Sequence, residues 1–158
     1  MIDKKQIDFF SKNGAIFLKG YFTDWIEVLK SGIEKLIDNP SPRERSYTPK
    51  DGTAPFFQDL CNWQRIPEFE KFIFNSDIGE VASKLMQSNV SRFFHDHVLV
   101  KEPGSSIVTP WHQDQSYYCT SGKQTISFWI PLDNISLNNT LSCISCLLYT
   151  SPSPRDRY

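Results

Sequence analysis

The strongest constraint on the fold is a change in sequence pattern at Asn89. Before it, apolar residues recur at the three-and-four spacing of amphipathic helices, most clearly over residues 23–37. After it, residues 91–101 are rich in aromatic and β-branched side chains and lead into the turn signal Pro103-Gly104. Helices followed by strands, without a βαβ alternation, indicate an α+β fold around an antiparallel sheet.

Local signals predict where helices and strands begin and end. Asp3 is a suitable N-terminal cap for a first helix, and Gly14 is a stop signal at its other end. The predicted helices cover residues 4–13, 23–38, 67–74 and 77–86, and they form a layer against the sheet. The predicted strands cover residues 15–18, 91–101, 108–114 and 125–132. Residues 43–54 are charged and rich in turn-forming residues, which predicts a surface loop.

The composition excludes several classes of protein. The 158 residues, of which 39% are hydrophobic, suffice for one domain with a core. The 17 Lys and Arg residues balance 18 Asp and Glu residues, which argues against nucleic acid or an anionic membrane as a partner. The N-terminus has no signal-peptide pattern, and nowhere do about 18 apolar residues run together. We therefore expect a cytoplasmic protein with free cysteines and a small-molecule partner.

The triplet His112-Gln113-Asp114 is the main candidate for chemistry. In a strand, side chains two residues apart face the same way, so one cation could bind both His112 and Asp114. One imidazole and one carboxylate are two-thirds of the 2-His-1-carboxylate triad, which leaves iron(II) positions open for a co-substrate and dioxygen. The aromatic and polar residues over 110–118 suit a binding pocket. The alternative is a histidine at the surface or core edge of a strand.

Three segments resemble a known family in order and spacing. They are residues 94–104 (FHDHVLVKEPG), 109–114 (TPWHQD) and 128–134 (FWIPLDN). Together they are similar to the phytanoyl-CoA dioxygenase family, over about residues 7–139. The resemblance implies helices packed on a double-stranded β-helix core, which is a jelly roll of the cupin-like kind. It also implies an iron(II)- and 2-oxoglutarate-dependent dioxygenase that hydroxylates a small organic substrate with dioxygen.

The resemblance also implies roles for individual residues. His112 and Asp114 take the positions of the iron ligands and catalytic pair. Lys101 and Trp129 take positions beside the 2-oxoglutarate co-substrate, and the Lys101 ammonium could offset its carboxylate charge. His95 takes a substrate-side position. The alternatives are a solvent-facing lysine at a strand end for Lys101 and a half-buried core residue for Trp129.

The sequence departs from the family pattern after His112. Its three histidines are His95, His97 and His112, so the family's distal histidine is missing. The arginine that follows that histidine in the family is also missing, since the only late arginines, Arg155 and Arg157, lie in a tail of different composition. Residues 146–156 resemble a translated sequencing adaptor, although their serine and proline content would also suit a disordered tail. We therefore expect residues 1–139 to be the N-terminal part of a family domain and residues 140–158 to be a non-native or disordered tail. Such a fragment, with an incomplete jelly roll, is expected to be inactive.

Two rival functions stay open from the sequence. The spacing of His95, His97 and Glu102 is typical of the first metal-binding motif of cupins, another β-barrel family. The second rival is a β-barrel module that binds a ligand without catalysis, since a fold does not fix a function.

Overall fold

The computed structural model describes most of the chain, in two compact units. The described residues are 2–112, 114–119, 122, 124–136 and 140–143. The first unit comprises Met1–Tyr21, Asp77–Ser91 and Trp111–Tyr158, and the second comprises Phe22–Ser76 and Arg92–Pro110. Over the described ranges the α-helices are α1 (Lys4–Asn13), α2 (Ile26–Asp38), α3 (Pro67–Asn75) and α4 (Ile78–Leu85). The strands there are β1 (Phe56–Leu60) and β2 (His97–Lys101).

Helix α1 of the first unit begins and ends where the sequence predicts. The Asp3 carboxylate accepts the Gln6 N–H at 2.8 Å, and the Gln6 side chain accepts the Asp3 N–H at 2.9 Å, which completes a capping box. At the other end Gly14 has a φ of 74° and donates its N–H to Phe10 at 2.8 Å. The same unit contains α4, which packs against α1. The side chains that α4 buries are Ile78, Val81, Ala82 and Leu85.

The second unit packs one face of a small antiparallel sheet against two helices. In the register of β1 and β2, Phe57 lies opposite Val100 and Asp59 opposite Val98. The buried core contains Leu36, Ile66, Phe69 and Val98, with Phe57 and Val100 packed against it. Because side chains alternate along a strand, Phe56 and Gln58 lie on the other face of the sheet.

The predicted positions of the helices are confirmed, whereas one layer of all four helices against the sheet stays a prediction, and the strand predictions are confirmed only in part. Strand β2 forms within the predicted 91–101 segment, whereas β1 was not predicted. The predictions of strands at 15–18 and 125–132 are wrong, and residues 108–112 are not a strand either. A short apolar run becomes a strand only when a neighbour completes its ladder, so its own sequence does not specify it. The mixed helix-and-sheet class is confirmed, while the jelly-roll core stays a prediction because the described sheet has two strands. None of the helices over the described residues is long and apolar enough to span a bilayer.

Two carboxylates, the buried Asp59 and the half-buried Asp96, accept hydrogen bonds that hold the second unit together around β1. Asp59, which is 0% exposed, accepts the Ser41 N–H at 2.7 Å and the Ser41 hydroxyl at 2.5 Å. Burial by itself would raise the pKa of the Asp59 carboxyl, but these hydrogen bonds outweigh it and hold the pKa below its ordinary value. The half-buried Asp96 carboxylate accepts the N–H groups of Asn62 and Trp63 at 2.8 to 3.0 Å. These bonds fix the turn that leads from β1 towards α3.

Close packing of α2 on α3 gives a test of this arrangement. A methyl group added at Gly32 would lie 2.6 Å from a ring carbon of the buried Phe69. Although alanine favours a helix over glycine by about 1 kcal/mol, overpacking of a core costs about 1–3 kcal/mol. We therefore expect Gly32→Ala to lower the free energy of unfolding in urea titrations. Gly79→Ala is the matched control, because its methyl group would meet only Ser91 Oγ at 3.4 Å and should not destabilise α4.

Candidate functional site

His112 and Asp114 meet in the first unit, although not on a strand. The prediction of a strand through this triplet is wrong, because residues 111 and 112 are irregular and Asp114 begins a short 3-10 helix, Asp114–Tyr117. The His112 Nε2 atom lies 3.3 Å from the Asp114 Oδ1 atom, and the two side chains are 39% and 50% exposed. The Tyr117 ring stands nearly perpendicular to the imidazole, with the ring centroids 6.1 Å apart. The turn at Asp114 therefore brings the His112 and Asp114 side chains close together, as the predicted strand would have done.

The distance between these two donors suits a shared metal ion. Two ligands that bind one cation at about 2.1 Å and at right angles lie about 3 Å apart. The observed separation of 3.3 Å is close to this value. The same geometry also suits an ion pair when the imidazole is protonated. Within the described residues, no three His, Cys, Asp or Glu side chains are arranged to hold a metal. The described part of the chain thus supplies a two-ligand arrangement.

A cavity of about 470 Å³ lies in the second unit, on the sheet face opposite the helical core. Its size falls in the range of about 300–1,000 Å³ that is usual for small-molecule sites. The polar residues of its lining are Arg45, Ser46, Tyr47, Gln58 and Thr109. The apolar residues of its lining are Phe56, Ile107, Val108 and Pro110.

Lys101, at the end of β2, is held next to this cavity. Its Nζ atom donates a hydrogen bond to the carbonyl oxygen of Ile107 at 2.7 Å. The ammonium also lies 5.1 Å from the centre of the Phe56 ring, within the range of a cation–π interaction. Both partners line the cavity. Although Lys101 is exposed, its position is therefore fixed by two contacts, and its role towards 2-oxoglutarate stays a prediction.

Trp129 and His95 are the other two predicted site residues. Trp129 lies in the first unit, as His112 and Asp114 do, and its side chain is 44% exposed. His95 lies in the second unit with Lys101, half-buried, and its ring packs edge-on against Phe94 at 4.8 Å between centroids. The structure therefore brings the predicted iron ligands together, while the roles of Trp129 and His95 stay predictions.

The cupin-type alternative finds no support in the structure. His95, His97 and Glu102 are all described, yet they are not a group that could hold a metal. His97 begins β2 opposite Leu60 and is exposed. Only His97 lies in β2, because His95 precedes the strand and Glu102 follows it. The alternation of side chains along a strand therefore does not bring the three donors to one face.

The sequence patterns did not predict the cavity residues Arg45 and Gln58. Arg45 lies in the segment predicted as a loop, and Gln58 lies in the strand that was missed. Arg45 and Tyr47 are two residues apart, as are Phe56 and Gln58, which is the spacing of one face of a strand. A pattern of two residues is too short to predict a strand.

Comparison with known proteins decides the family. A family model described as phytanoyl-CoA dioxygenase matches residues 10–145. The chain belongs to the phytanoyl-CoA dioxygenase family. Members of this family are typically iron(II)- and 2-oxoglutarate-dependent oxygenases. No curated protein and no solved structure matches the chain.

The family match places the predicted site in context. It includes every predicted site residue, from His95 to Trp129, and the whole cavity lining. It begins and ends close to the limits of 7 and 139 that the sequence resemblance gave. Of the predicted tail at residues 140–158, residues 144–158 lie outside the described residues.

Proposed function

We propose that the family domain to which residues 1–139 belong is an iron(II)- and 2-oxoglutarate-dependent dioxygenase that hydroxylates a small organic substrate, and that this chain alone, with two of the three iron ligands, is inactive. The observation that carries the proposal is the 3.3 Å separation of His112 Nε2 and Asp114 Oδ1, inside the segment that matches the family. The pair offers one imidazole and one carboxylate, the donor types of the iron(II) facial triad.

The chain's own residues would bind and orient the iron. Bound iron(II) would supply the activation of dioxygen at the expense of 2-oxoglutarate. His112 binds a metal only as the neutral imidazole and Asp114 only as the carboxylate, so binding at low pH releases protons. The sequence has no histidine after His112, so this chain supplies two of the three protein ligands that the family's triad uses.

Lys101 is proposed to bind a carboxylate of 2-oxoglutarate. An ammonium has three N–H donors, and the Ile107 carbonyl uses one of them. The remaining donors are available for a charge-assisted hydrogen bond to the co-substrate. Trp129 is assigned to the co-substrate and His95 to the substrate side on the family resemblance, and the KM values of Trp129→Phe and His95→Ala variants test these roles.

The test is succinate formation from 2-oxoglutarate in the presence of iron(II). We expect no turnover by the chain alone, because the second imidazole ligand is absent. Free imidazole, which can supply that ligand, should give turnover that requires iron(II) and stops when a chelator is added. A Lys101→Gln variant should raise the KM for 2-oxoglutarate about tenfold, since a charge-assisted bond is lost. Turnover that is indifferent to chelation would contradict the proposal. Binding of 2-oxoglutarate without succinate, at any imidazole concentration, would instead support a non-catalytic binding module.

A further inference from the structure

The cavity in the second unit has a fixed floor. The backbone N–H of Arg45 donates to the Gln58 carbonyl at 2.8 Å, and Tyr47 and Phe56 exchange two backbone hydrogen bonds of 2.9 Å. Through this antiparallel pairing, the segment around Arg45 lies alongside β1. Arg45 and Gln58 are opposite each other across the ladder, as are Tyr47 and Phe56, so these four side chains share one face of the sheet.

Further hydrogen bonds join residues next to two of the segments that line the cavity. The Ser106 hydroxyl donates to the Asp51 carboxylate at 2.7 Å and lies 2.8 Å from the Thr53 hydroxyl. These contacts join the segment that follows Arg45 and Tyr47 to the turn after β2. Lys101 donates a hydrogen bond to the carbonyl of Ile107, which lines the cavity. The cavity is therefore organised before any ligand arrives, which reduces the entropy cost of binding.

The residue types that line the cavity favour an anion. Its described lining contains Arg45 and no Asp or Glu. Arg45 donates one side-chain hydrogen bond, to the backbone carbonyl of Glu44 at 3.0 Å, and in the described part of the chain no carboxylate forms an ion pair with it. A guanidinium has five N–H donors, so a planar pair remains available for bidentate binding of a carboxylate.

We propose that this cavity binds the carboxylate group of a small amphipathic substrate. Arg45 would bind the carboxylate, and the apolar part of the ligand would lie against Phe56 and Val108. Tyr47 and Gln58 would provide further polar contacts. The proposal rests on the proposed function, because it takes the ligand to be the substrate of that reaction. It names the substrate class as carboxylic acids with a compact hydrocarbon or aromatic body.

Binding to the iron-free chain tests this proposal without depending on turnover. The probes are phenylacetate and phenylacetamide, which differ mainly in charge, and the readout is the amide spectrum of the ¹⁵N-labelled chain. We expect saturable shifts at Arg45, Tyr47, Phe56 and Gln58 with phenylacetate. Binding of phenylacetamide should be at least about tenfold weaker, because a charge-assisted bidentate contact is lost.

Two variants assign the effect to Arg45. Arg45→Gln should weaken phenylacetate binding about tenfold or more. Arg43→Gln is the matched control, because Arg43 is exposed, two residues away and not part of the lining, and it should leave the affinity within about twofold. Equal binding of both probes, or an unchanged affinity in Arg45→Gln, would overturn the proposal. Competition by 2-oxoglutarate at the same affinity would overturn the substrate assignment and make the cavity the co-substrate site. Because iron is absent, failure of the oxygenase proposal would leave these binding results unaffected.

Discussion

Replacing Asp59 by asparagine is expected to lower the free energy of unfolding by about 3 kcal/mol. The carboxylate is 0% exposed and accepts hydrogen bonds from the Ser41 N–H, the Ser41 hydroxyl and the Leu60 N–H. Asparagine keeps the volume but replaces one acceptor oxygen with a donor. At least one N–H group would then face another donor, and each buried group left unsatisfied costs about 1–3 kcal/mol, more where a charge is involved.

Urea denaturation of the wild type and two variants measures this effect. Asp38→Asn is the matched control, because it makes the same chemical change on an exposed residue at the end of α2. It should change the free energy of unfolding by less than about 0.5 kcal/mol. Similar small effects for both variants would show that the Asp59 hydrogen bonds do not stabilise the second unit.

The same carboxylate predicts a dependence of stability on pH. Because its pKa in the folded chain lies below the value of about 3.9 in the unfolded chain, its contribution is complete above that unfolded value. It is lost as the pH falls through the lower, folded pKa. The wild type should therefore lose its advantage over Asp59→Asn under these acidic conditions.

In the presence of free imidazole, His112→Ala is expected to reduce iron(II)-dependent succinate formation at least about a hundredfold. Removing partners of metal ligands already costs about 10–100-fold, so loss of a ligand itself should cost more. Alanine has no donor atom, and the half-exposed Asp114 carboxylate alone would compete poorly with water for the ion.

The His97→Ala variant is the control for this substitution. His97 is also exposed, but it lies at the start of β2 and is not part of the His112–Asp114 pair. Its activity should stay within about twofold of the wild type. More than a tenth of the activity remaining in His112→Ala would contradict the assignment, and a large loss in His97→Ala would return the cupin-type site to consideration.

The helices could be predicted from the sequence because their signals are local. The capping box of Asp3 with Gln6 and the stop at Gly14 lie within one helix, and Pro67 marks the first turn of α3. Strand β1 was missed because it depends on pairing with β2, about 40 residues further along the chain. Pairing over such a distance is a property of the folded chain, which a short window of sequence does not contain.

The candidate site shows the same division between local and distant information. His112 and Asp114 are two residues apart, so their side chains could be predicted to lie close together even though the predicted strand was wrong. The cavity beside Lys101 could not be predicted, because it joins Arg45, Gln58 and Ile107 from three separate segments. The segment predicted as a loop became part of its floor through backbone hydrogen bonds with β1.

Anaerobic equilibrium dialysis of iron(II) in the presence of 2-oxoglutarate tests most directly whether His112 and Asp114 hold iron(II). We expect about one iron(II) per chain in the wild type and in His97→Ala, and only nonspecific binding in His112→Ala and Asp114→Asn. Equal iron binding by the wild type and His112→Ala, or no specific binding by the wild type, would contradict the assignment of this pair as the metal site.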